Sequence, residues 1–218
     1  LIYADGNNVG ALIERIRSAA FYRQFASRLF EATQVAVFTA LARHLQPTRV
    51  INEDNDEVFI HPFEIVSIGG DDLILIVPSD KALGISLDIA THIEEVFHDG
   101  DINYQDSVAG LQRYHGASFS ANGKPRISLS AGVVLAQENN PIFFLNDIVQ
   151  ELLKSAKAKA KQLKEEGCTG GTVDFMALKS VTMVTSSVGE FRRTALREVQ
   201  TLVRGKRYEA LHLTARPY

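Results

Sequence analysis

Two adjacent aspartates at the start of an apolar run are the residues of this sequence best suited to chemistry. The stretch 68–78 reads IGGDDLILIVP, so that Asp71 and Asp72 separate a glycine pair from a strand-like run. Adjacent carboxylates repel each other, and their pKa values rise unless a cation neutralises them. Mg²⁺ binds such hard oxygen ligands together with substrate phosphates. The pair therefore predicts a site for Mg²⁺ or Mn²⁺, although an exposed turn with incidental acids would give the same letters.

A third carboxylate, Asp5, ends the first apolar run of the chain, LIYAD. The predicted elements follow the order strand, helix, strand, hairpin, strand, helix, strand, helix, which is the split βαβ pattern of ferredoxin-like sheets. In that topology the first strand is antiparallel to the strand after GGDD, so Asp5 converges with Asp71 and Asp72. Two metal ions about 4 Å apart at such a site activate a hydroxyl nucleophile and stabilise a leaving oxygen. We therefore expect these three aspartates to be the metal ligands and the catalytic residues.

The fold class predicted is α/β, in its α+β form: a ferredoxin-like, mostly antiparallel sheet of four or five strands with helices mainly on one face. A long helix, broken near Ala20, is expected to run to Leu45, and the polar stretch 52–57 suits the tip of a small hairpin. The alternation in 126–136 predicts a strand with one more polar face. The other expected strands and helices lie at 63–67, 72–78, 170–178, 79–98 and 141–166.

Glycines and lysines near the acids predict a phosphate-binding site. The glycine pair before the acids lets a triphosphate approach the backbone, and the GNN stretch after Asp5 opens a helix whose free N–H groups can bind phosphate. Two lysines lie on one stripe of the helix at 141–166, where a phosphate contact and a solvated basic face are equally compatible with the pattern. The candidate nucleotide-binding residues are Gly6, Asn7, Asn8, Gly69, Gly70, Lys157 and Lys161.

The composition of the chain limits its binding partners, its disulfide content and its relation to a membrane. The chain has 218 residues and a formal net charge of −3, which gives no general attraction to nucleic acid or anionic membrane. Its single cysteine, Cys168, excludes an internal disulfide and a cysteine zinc site, as expected in a reducing cytoplasm. No apolar run is long enough to span a membrane. We expect two units, residues 1–178 and a helical C-terminal extension over 179–218, and we take the chain to be a piece of a longer protein.

Four motifs in order carry a family resemblance. YADGNNVG, SIGGDDLILIVP, SLSAGVVLAQ and LLKSAKAKAK resemble the palm domain of the large polymerase-like subunit of type III CRISPR effector complexes, over about residues 1–178. That palm is similar to GGDEF diguanylate cyclases and, more distantly, to class III nucleotide cyclases. The resemblance implies a metal-dependent conversion of ATP to cyclic oligoadenylates in antiviral defence. It also implies metal at Asp5, Asp71 and Asp72, a nucleotide contact at Asn8, and a phosphate contact at Lys157 or Lys161.

Two departures keep alternatives open. Many family members have a second acid two residues after the first, where this chain has Asn7. A diguanylate cyclase would have Glu and Phe where this chain has Asp72 and Leu73. The alternatives are a non-catalytic nucleotide-binding or scaffolding palm in a larger complex, and a diguanylate or mononucleotide cyclase. Degenerate palms lose their acids, so the intact acids favour the enzyme.

The expected partners follow from the reaction. Joining two nucleotides needs a donor and an acceptor held together, and one GGDD supplies the donor side only. A second palm domain, in the full-length protein or in another copy, must supply the acceptor side, so we expect slow turnover by the isolated chain. The resemblance implies ATP or GTP as substrate, the other subunits of a CRISPR effector complex, and RNA in the full complex. We expect no membrane partner and a cytoplasmic location.

Overall fold

The computed structural model of the protein describes residues 1–14, 16–98, 127–165, 170–178 and 187–192. Its helices are α1 (Val9–Ile13), α2 (Ala19–His44), α3 (Ala82–His98) and α4 (Ile142–Glu165). Its strands are β1 (Ile2–Gly6), β2 (Thr48–Ile51), β3 (Glu57–Ile60), β4 (Glu64–Gly69), β5 (Asp72–Ile76), β6 (Leu129–Leu135) and β7 (Val173–Ala177).

Five of these strands form one sheet in the order β4-β5-β1-β6-β7. β1 lies between β5 and β6 and is antiparallel to both, and β4 is antiparallel to β5. β7 joins the far edge parallel to β6. β2 and β3 form a separate antiparallel hairpin. The predicted fold class is confirmed: β1, β4, β5 and β6 with α2 and α3 make the ferredoxin-like arrangement, and β7 extends its sheet.

The helices cover both faces of this sheet. α2 and α3 bury residues such as Phe25, Ile85 and Ile89 against one face, in the larger core cluster. α4 buries Val149 and Leu152 against the opposite face in a second cluster. The expectation of helices mainly on one face is therefore incomplete. α3 connects β5 to the parallel strand β6, and α4 connects β6 to the parallel strand β7. Both connections move towards the β7 edge of the sheet. Because the two helices lie on opposite faces, the two crossover connections have opposite handedness.

β6 forms the predicted strand and is buried on both faces, including the face that is more polar in sequence. Ser130 and Gly132 lie on the side that is more polar in sequence, yet both are buried because α4 lies on that side. A Cβ added to Gly132 would lie 2.6 Å from the backbone nitrogen of Leu153, closer than real Cβ contacts come. The missing side chain lets α4 pack directly on the strand backbone.

The predicted helix break is present. α1 ends at Ile13, and α2 begins after Ser18, whose Oγ accepts a hydrogen bond of 3.4 Å from the Phe21 backbone nitrogen. A serine in this position satisfies one of the unpaired N–H groups of a helix start. The predicted hairpin tip lies between β2 and β3. No helix in the described ranges is long and apolar enough to cross a membrane.

The start of the predicted C-terminal extension packs on the sheet domain. Residues 188–192 are helical, and the Val188 backbone nitrogen donates to Glu151 Oε2 of α4 at 2.7 Å. Arg192 forms a bidentate ion pair with Asp174 of β7, at 2.8 and 2.9 Å. The loop predicted at 99–125, Cys168 and the rest of 179–218 lie outside the described residues.

Candidate active site

The three aspartates lie at one edge of the sheet. Ala4 of β1 pairs with Leu73 of β5, so Asp5 is one residue further along β1 and Asp72 one residue earlier on β5. Gly69 and Asp72 are cross-strand partners, and Gly70 and Asp71 form the two-residue turn between them. The structure therefore brings the first acid and the GGDD pair together, as the topology predicts.

Asp71 packs against the backbone of β1. A Cβ added to Gly6 would lie 2.7 Å from Asp71 Oδ2 and 2.8 Å from the Asp71 Cβ. Any side chain at position 6 would displace this carboxylate. Gly6 is one of the predicted nucleotide-binding residues, and its lack of a side chain makes room for the Asp71 carboxylate.

The acids share one electrostatic environment. Burial raises the pKa of Asp71, and the charges of Asp5 and Asp72 raise it further. Burial also raises the pKa of Asp72, with Asp5 as the next cause. In both cases the Lys157 ammonium acts in the opposite direction. Burial, then Asp72 and Asp5, raise the pKa of the Tyr3 phenol, which lies on the Asp5 side of β1. Negative charge is therefore concentrated here and only partly neutralised.

Lys157 of α4 lies at this cluster. Its Nζ donates a hydrogen bond to Asp5 Oδ2 and a second one, of 3.2 Å, to the Gly6 carbonyl oxygen. The side chains of Lys157 and Asp5 are 34% and 28% exposed, so solvent reaches this ion pair. Lys161, one turn further along α4, is exposed. Of the two lysines that sequence left open, the structure places Lys157 at the acids.

The two asparagines after Gly6 differ in their surroundings. Asn7 Nδ2 donates to the hydroxyls of Ser128 and Ser130 at 2.9 Å each, and its backbone nitrogen donates to the Ser128 carbonyl at 2.8 Å. These bonds fasten the loop to β6. Asn8 has a φ of 62° and is exposed, with no capping hydrogen bond from its side chain. α1 is only five residues long, so phosphate binding at this loop would depend on local N–H groups and not on a helix dipole.

The glycine pair borders open space. A Cβ added at Gly69 or at Gly70 would meet no atom within 4 Å. Gly70 has a φ of +61°, a left-handed conformation that residues with a side chain rarely adopt. Gly70 is therefore needed for the turn itself, and Gly69 leaves the space beside the turn unfilled.

Two neighbours of the turn were missed in the sequence. Thr33 of α2 is fully buried, and its hydroxyl lies 2.7 Å from the Gly70 carbonyl oxygen. The feature of the sequence that could have revealed Thr33 is a hydroxyl residue within the apolar stripe of α2. Tyr3 was also missed, although its spacing of two from Asp5 places both on one face of β1.

The described residues hold no preformed cluster of three or more His, Cys, Asp or Glu side chains arranged to bind a metal ion. The donor chemistry nevertheless suits a hard divalent cation, because carboxylates converge with little compensating charge. Mg²⁺ commonly takes only one or two carboxylates and completes its shell with water and phosphate. The donor groups present therefore fit such an ion.

Comparison with known proteins agrees with these features. No curated protein compared with the chain matches it. The sequence model described as Cas10/Cmr2, second palm domain, matches residues 1–166. The matched range includes the three aspartates, the glycine pair and Lys157, and it ends before β7. The chain therefore belongs to the Cas10/Cmr2 second palm domain family, which is the palm of the type III CRISPR large subunit.

Proposed function

We propose that this palm is a metal-dependent nucleotidyltransferase that converts ATP to oligoadenylate, in cyclic form, within a CRISPR effector complex. The observation that carries the proposal is the convergence of Asp5, Asp71 and Asp72 beside Lys157 in a chain of this family. In the reaction, a 3′-hydroxyl oxygen of one nucleotide forms a bond to the α-phosphorus of another. The bond from that phosphorus to the bridging oxygen breaks, pyrophosphate leaves, and the hydroxyl proton passes to solvent.

The three carboxylates would hold Mg²⁺ or Mn²⁺. When bound, such an ion lowers the pKa of a hydroxyl and neutralises charge on phosphate oxygens. Asp71 and Asp72 are available as ligands at the turn, and Asp5 completes the set from β1. Since partial burial raises the pKa of both turn acids, a neighbouring positive charge stabilises their ionised forms more than it would stabilise fully solvated carboxylates.

Lys157 would act as the counter-ion of the acids in the absence of nucleotide. Both side chains of its contact with Asp5 are about one third exposed, so exchanging that partner for a phosphate oxygen loses little net energy. A lysine ammonium is a compact charge on a flexible stem, which suits such an exchange. We expect Lys157 to leave Asp5 for a phosphate oxygen as ATP and the metal ion enter. Lys161, exposed on the same helix, would meet the outer phosphates.

The nucleotide would lie between the two turns at this edge of the sheet. The space beside Gly69 and Gly70 is open, and Asn8 is exposed in the turn that follows β1. The Asn7 amide already donates to two serine hydroxyls, so Asn7 would hold the turn in place and would not contact the nucleotide through its amide nitrogen. GTP is the alternative substrate, because no described contact selects between the two bases.

The acceptor nucleotide would come from a second palm. One set of acids serves the donor only, so the isolated chain would bind ATP and turn it over slowly. RNA bound in the full complex would act on the assembly and not on this chain alone, and we expect the complex in the cytoplasm. The alternative is a palm that binds nucleotide without turnover. The neutral Asn7, in place of a second acid, favours that alternative.

The test is incubation of the chain with each nucleoside triphosphate and Mg²⁺ or Mn²⁺, with products resolved by mass. We expect adenylate oligomers whose rate rises more steeply than linearly with protein concentration. The double variant Asp71→Ala/Asp72→Ala should lose at least about 100-fold in rate, since removing charge stabilisation at a phosphoryl centre commonly has effects of this order. Its circular dichroism should match the wild type.

Three outcomes would decide the proposal. Full activity of the folded double variant would overturn the assignment of the acids. ATP binding without any product, at all protein concentrations, would support the non-catalytic alternative. A rate per molecule that is independent of concentration would support intramolecular cyclisation of one nucleotide.

A further inference from the structure

Thr33 is a hydroxyl in an otherwise apolar stripe of α2. It is 0% exposed and lies among Leu29, Ala32, Ala36 and Val37, which are all buried. Its Oγ1 is 2.9 Å from the Leu29 carbonyl oxygen and 2.7 Å from the Gly70 carbonyl oxygen. A buried hydroxyl in this setting requires a partner, because burial removes its hydrogen bonds to water and an unsatisfied polar group destabilises the fold.

The Gly70 contact cannot be explained by helix geometry. A helical threonine can always bond the carbonyl four residues earlier, and Leu29 provides that bond. Gly70 is 37 residues away in sequence and lies in the turn between β4 and β5. The hydroxyl has one proton, and the shorter of its two contacts is the one to the turn. α2 is therefore fastened to the GGDD turn at this point.

The bond acts on the peptide unit that precedes Asp71. The Gly70 carbonyl and the Asp71 N–H belong to one planar peptide group, so holding the oxygen holds the N–H. The Asp71 Cα is bonded directly to that nitrogen, so the orientation of the peptide also sets the point from which the Asp71 side chain leaves the backbone. Thr33 is thus connected through one rigid peptide to the backbone of Asp71, whose side chain packs against Gly6.

We infer that Thr33 is a positioning residue for Asp71: its hydroxyl fixes the Gly70–Asp71 peptide and thereby the direction of the carboxylate offered to a cation. Gly70 makes this support necessary, because glycine at a φ of +61° is the most freely rotating point of the turn. The inference rests on the proposed function for the role of the carboxylate. The connection from Thr33 to the turn can be tested without it.

The test uses Thr33→Val, which keeps the shape and removes the hydroxyl, and Thr33→Ser, which keeps the hydroxyl. Ser86→Ala is the matched control, since Ser86 is a buried hydroxyl that donates to Ala82 in α3, away from the turn. Thr33→Ala is the second variant should valine disturb packing. Two quantities are measured on the whole chain: hydrogen exchange of the peptide covering 66–73, and Mn²⁺ affinity by electron paramagnetic resonance.

We expect Thr33→Val to speed exchange in the turn and to weaken Mn²⁺ binding, each by about 3- to 10-fold, the factor for one lost hydrogen bond. Thr33→Ser should restore both, and Ser86→Ala should change neither. Unchanged exchange and affinity in folded Thr33→Val and Thr33→Ala would overturn the inference. Equal losses in Ser86→Ala would also overturn it, by showing a general loss of stability. If the wild type binds no Mn²⁺, the proposed function fails, and exchange alone decides the role of Thr33.

Discussion

Among the described residues, two ion pairs on the α4 side of the sheet have opposite character. Arg192 and Asp174 meet through two hydrogen bonds, with side chains only 15% and 3% exposed. Lys157 meets Asp5 with one side-chain bond, and both side chains are about one third exposed. The first pair joins residues 187–192 to β7, and the second lies beside two further carboxylates. The difference separates a contact that holds the chain together from one that can be exchanged.

Burial and geometry explain why the pairs differ. A planar guanidinium matches a carboxylate in two parallel bonds, so removing either partner leaves a charge or a buried polar group unpaired. An ammonium that solvent already reaches can return to water at little cost. The neighbours also differ, because the acids around Lys157 offer a cation more negative charge than one lysine neutralises. A proposed site for metal and phosphate requires a lysine that can release its carboxylate partner when another ligand enters.

The largest expected effect is at the buried pair. Asp174→Ala should lower the free energy of unfolding by about 3 kcal/mol, because it leaves the Arg192 guanidinium without its carboxylate. Urea unfolding followed by circular dichroism measures this change. Asp80→Ala is the matched control, since Asp80 pairs with Lys81 on the surface and its loss should change stability by less than about 0.5 kcal/mol. A loss below about 1 kcal/mol for Asp174→Ala would remove the distinction between the two pairs.

An intermediate effect is expected at the exchangeable pair. Lys157→Met should leave the free energy of unfolding within about 1 kcal/mol of wild type, because the pair is exposed. It should raise nucleotide-free Mn²⁺ affinity and lower ATP affinity, each by about 3- to 10-fold, since a removed charge of this kind is worth about 1 kcal/mol. Titration calorimetry measures both affinities. Lys154→Met, an exposed lysine of the same helix, is the control. Weaker Mn²⁺ binding in Lys157→Met would contradict the counter-ion role.

The smallest effect concerns pH. Folding raises the pKa of Asp72, because the carboxyl is partly buried and lies near Asp5. Protonation of Asp72 therefore favours the folded state. Above its raised pKa the carboxyl is ionised and lowers the free energy of unfolding. Asp72→Asn should therefore raise the melting temperature at pH 7.5, by about 1–2 °C for a chain of this size. The gain over wild type should shrink as pH falls through the raised pKa towards the ordinary value of 3.8. Melting curves at pH 7.5, 6, 5 and 4 test this, and a gain that is constant over the series would show that charge is not its cause.

The central part of the fold was predictable because local sequence patterns determine its strands and turns. The alternation of apolar runs and glycine turns gave the order of β1, β4, β5 and β6, and topology then placed Asp5 beside the GGDD turn. The position of α4 was not predictable in this way. Parallel connections are nearly always right-handed, and that rule would place α3 and α4 on the same face. The close packing of α4 on Gly132 settles the face, and this contact joins residues that periodicity treats separately.

The site was predictable as a set of residue types but not as a set of contacts. The sequence indicates which acids converge, because register and topology decide it. It left Lys157 and Lys161 equivalent, since one helical stripe contains both, and only the three-dimensional packing of α4 places one at Asp5. Thr33 was missed because helical periodicity treats a buried threonine as another small core residue. The roles of all these side chains in binding and catalysis stay predictions.

The geometry of the candidate site depends on Gly132, although this residue does not contact the acids or Lys157. Since α4 rests on the bare backbone at this glycine, any larger residue would lift the helix away from β6. Lys157 lies four residues beyond Leu153, about 6 Å along the helix, and would move outward with it. A substitution at Gly132 could thus leave every acid, lysine and turn intact and still separate the cation from the carboxylates. When variant sequences are compared, this strand glycine therefore counts among the positions that set the geometry of the candidate site, although it has no side chain of its own.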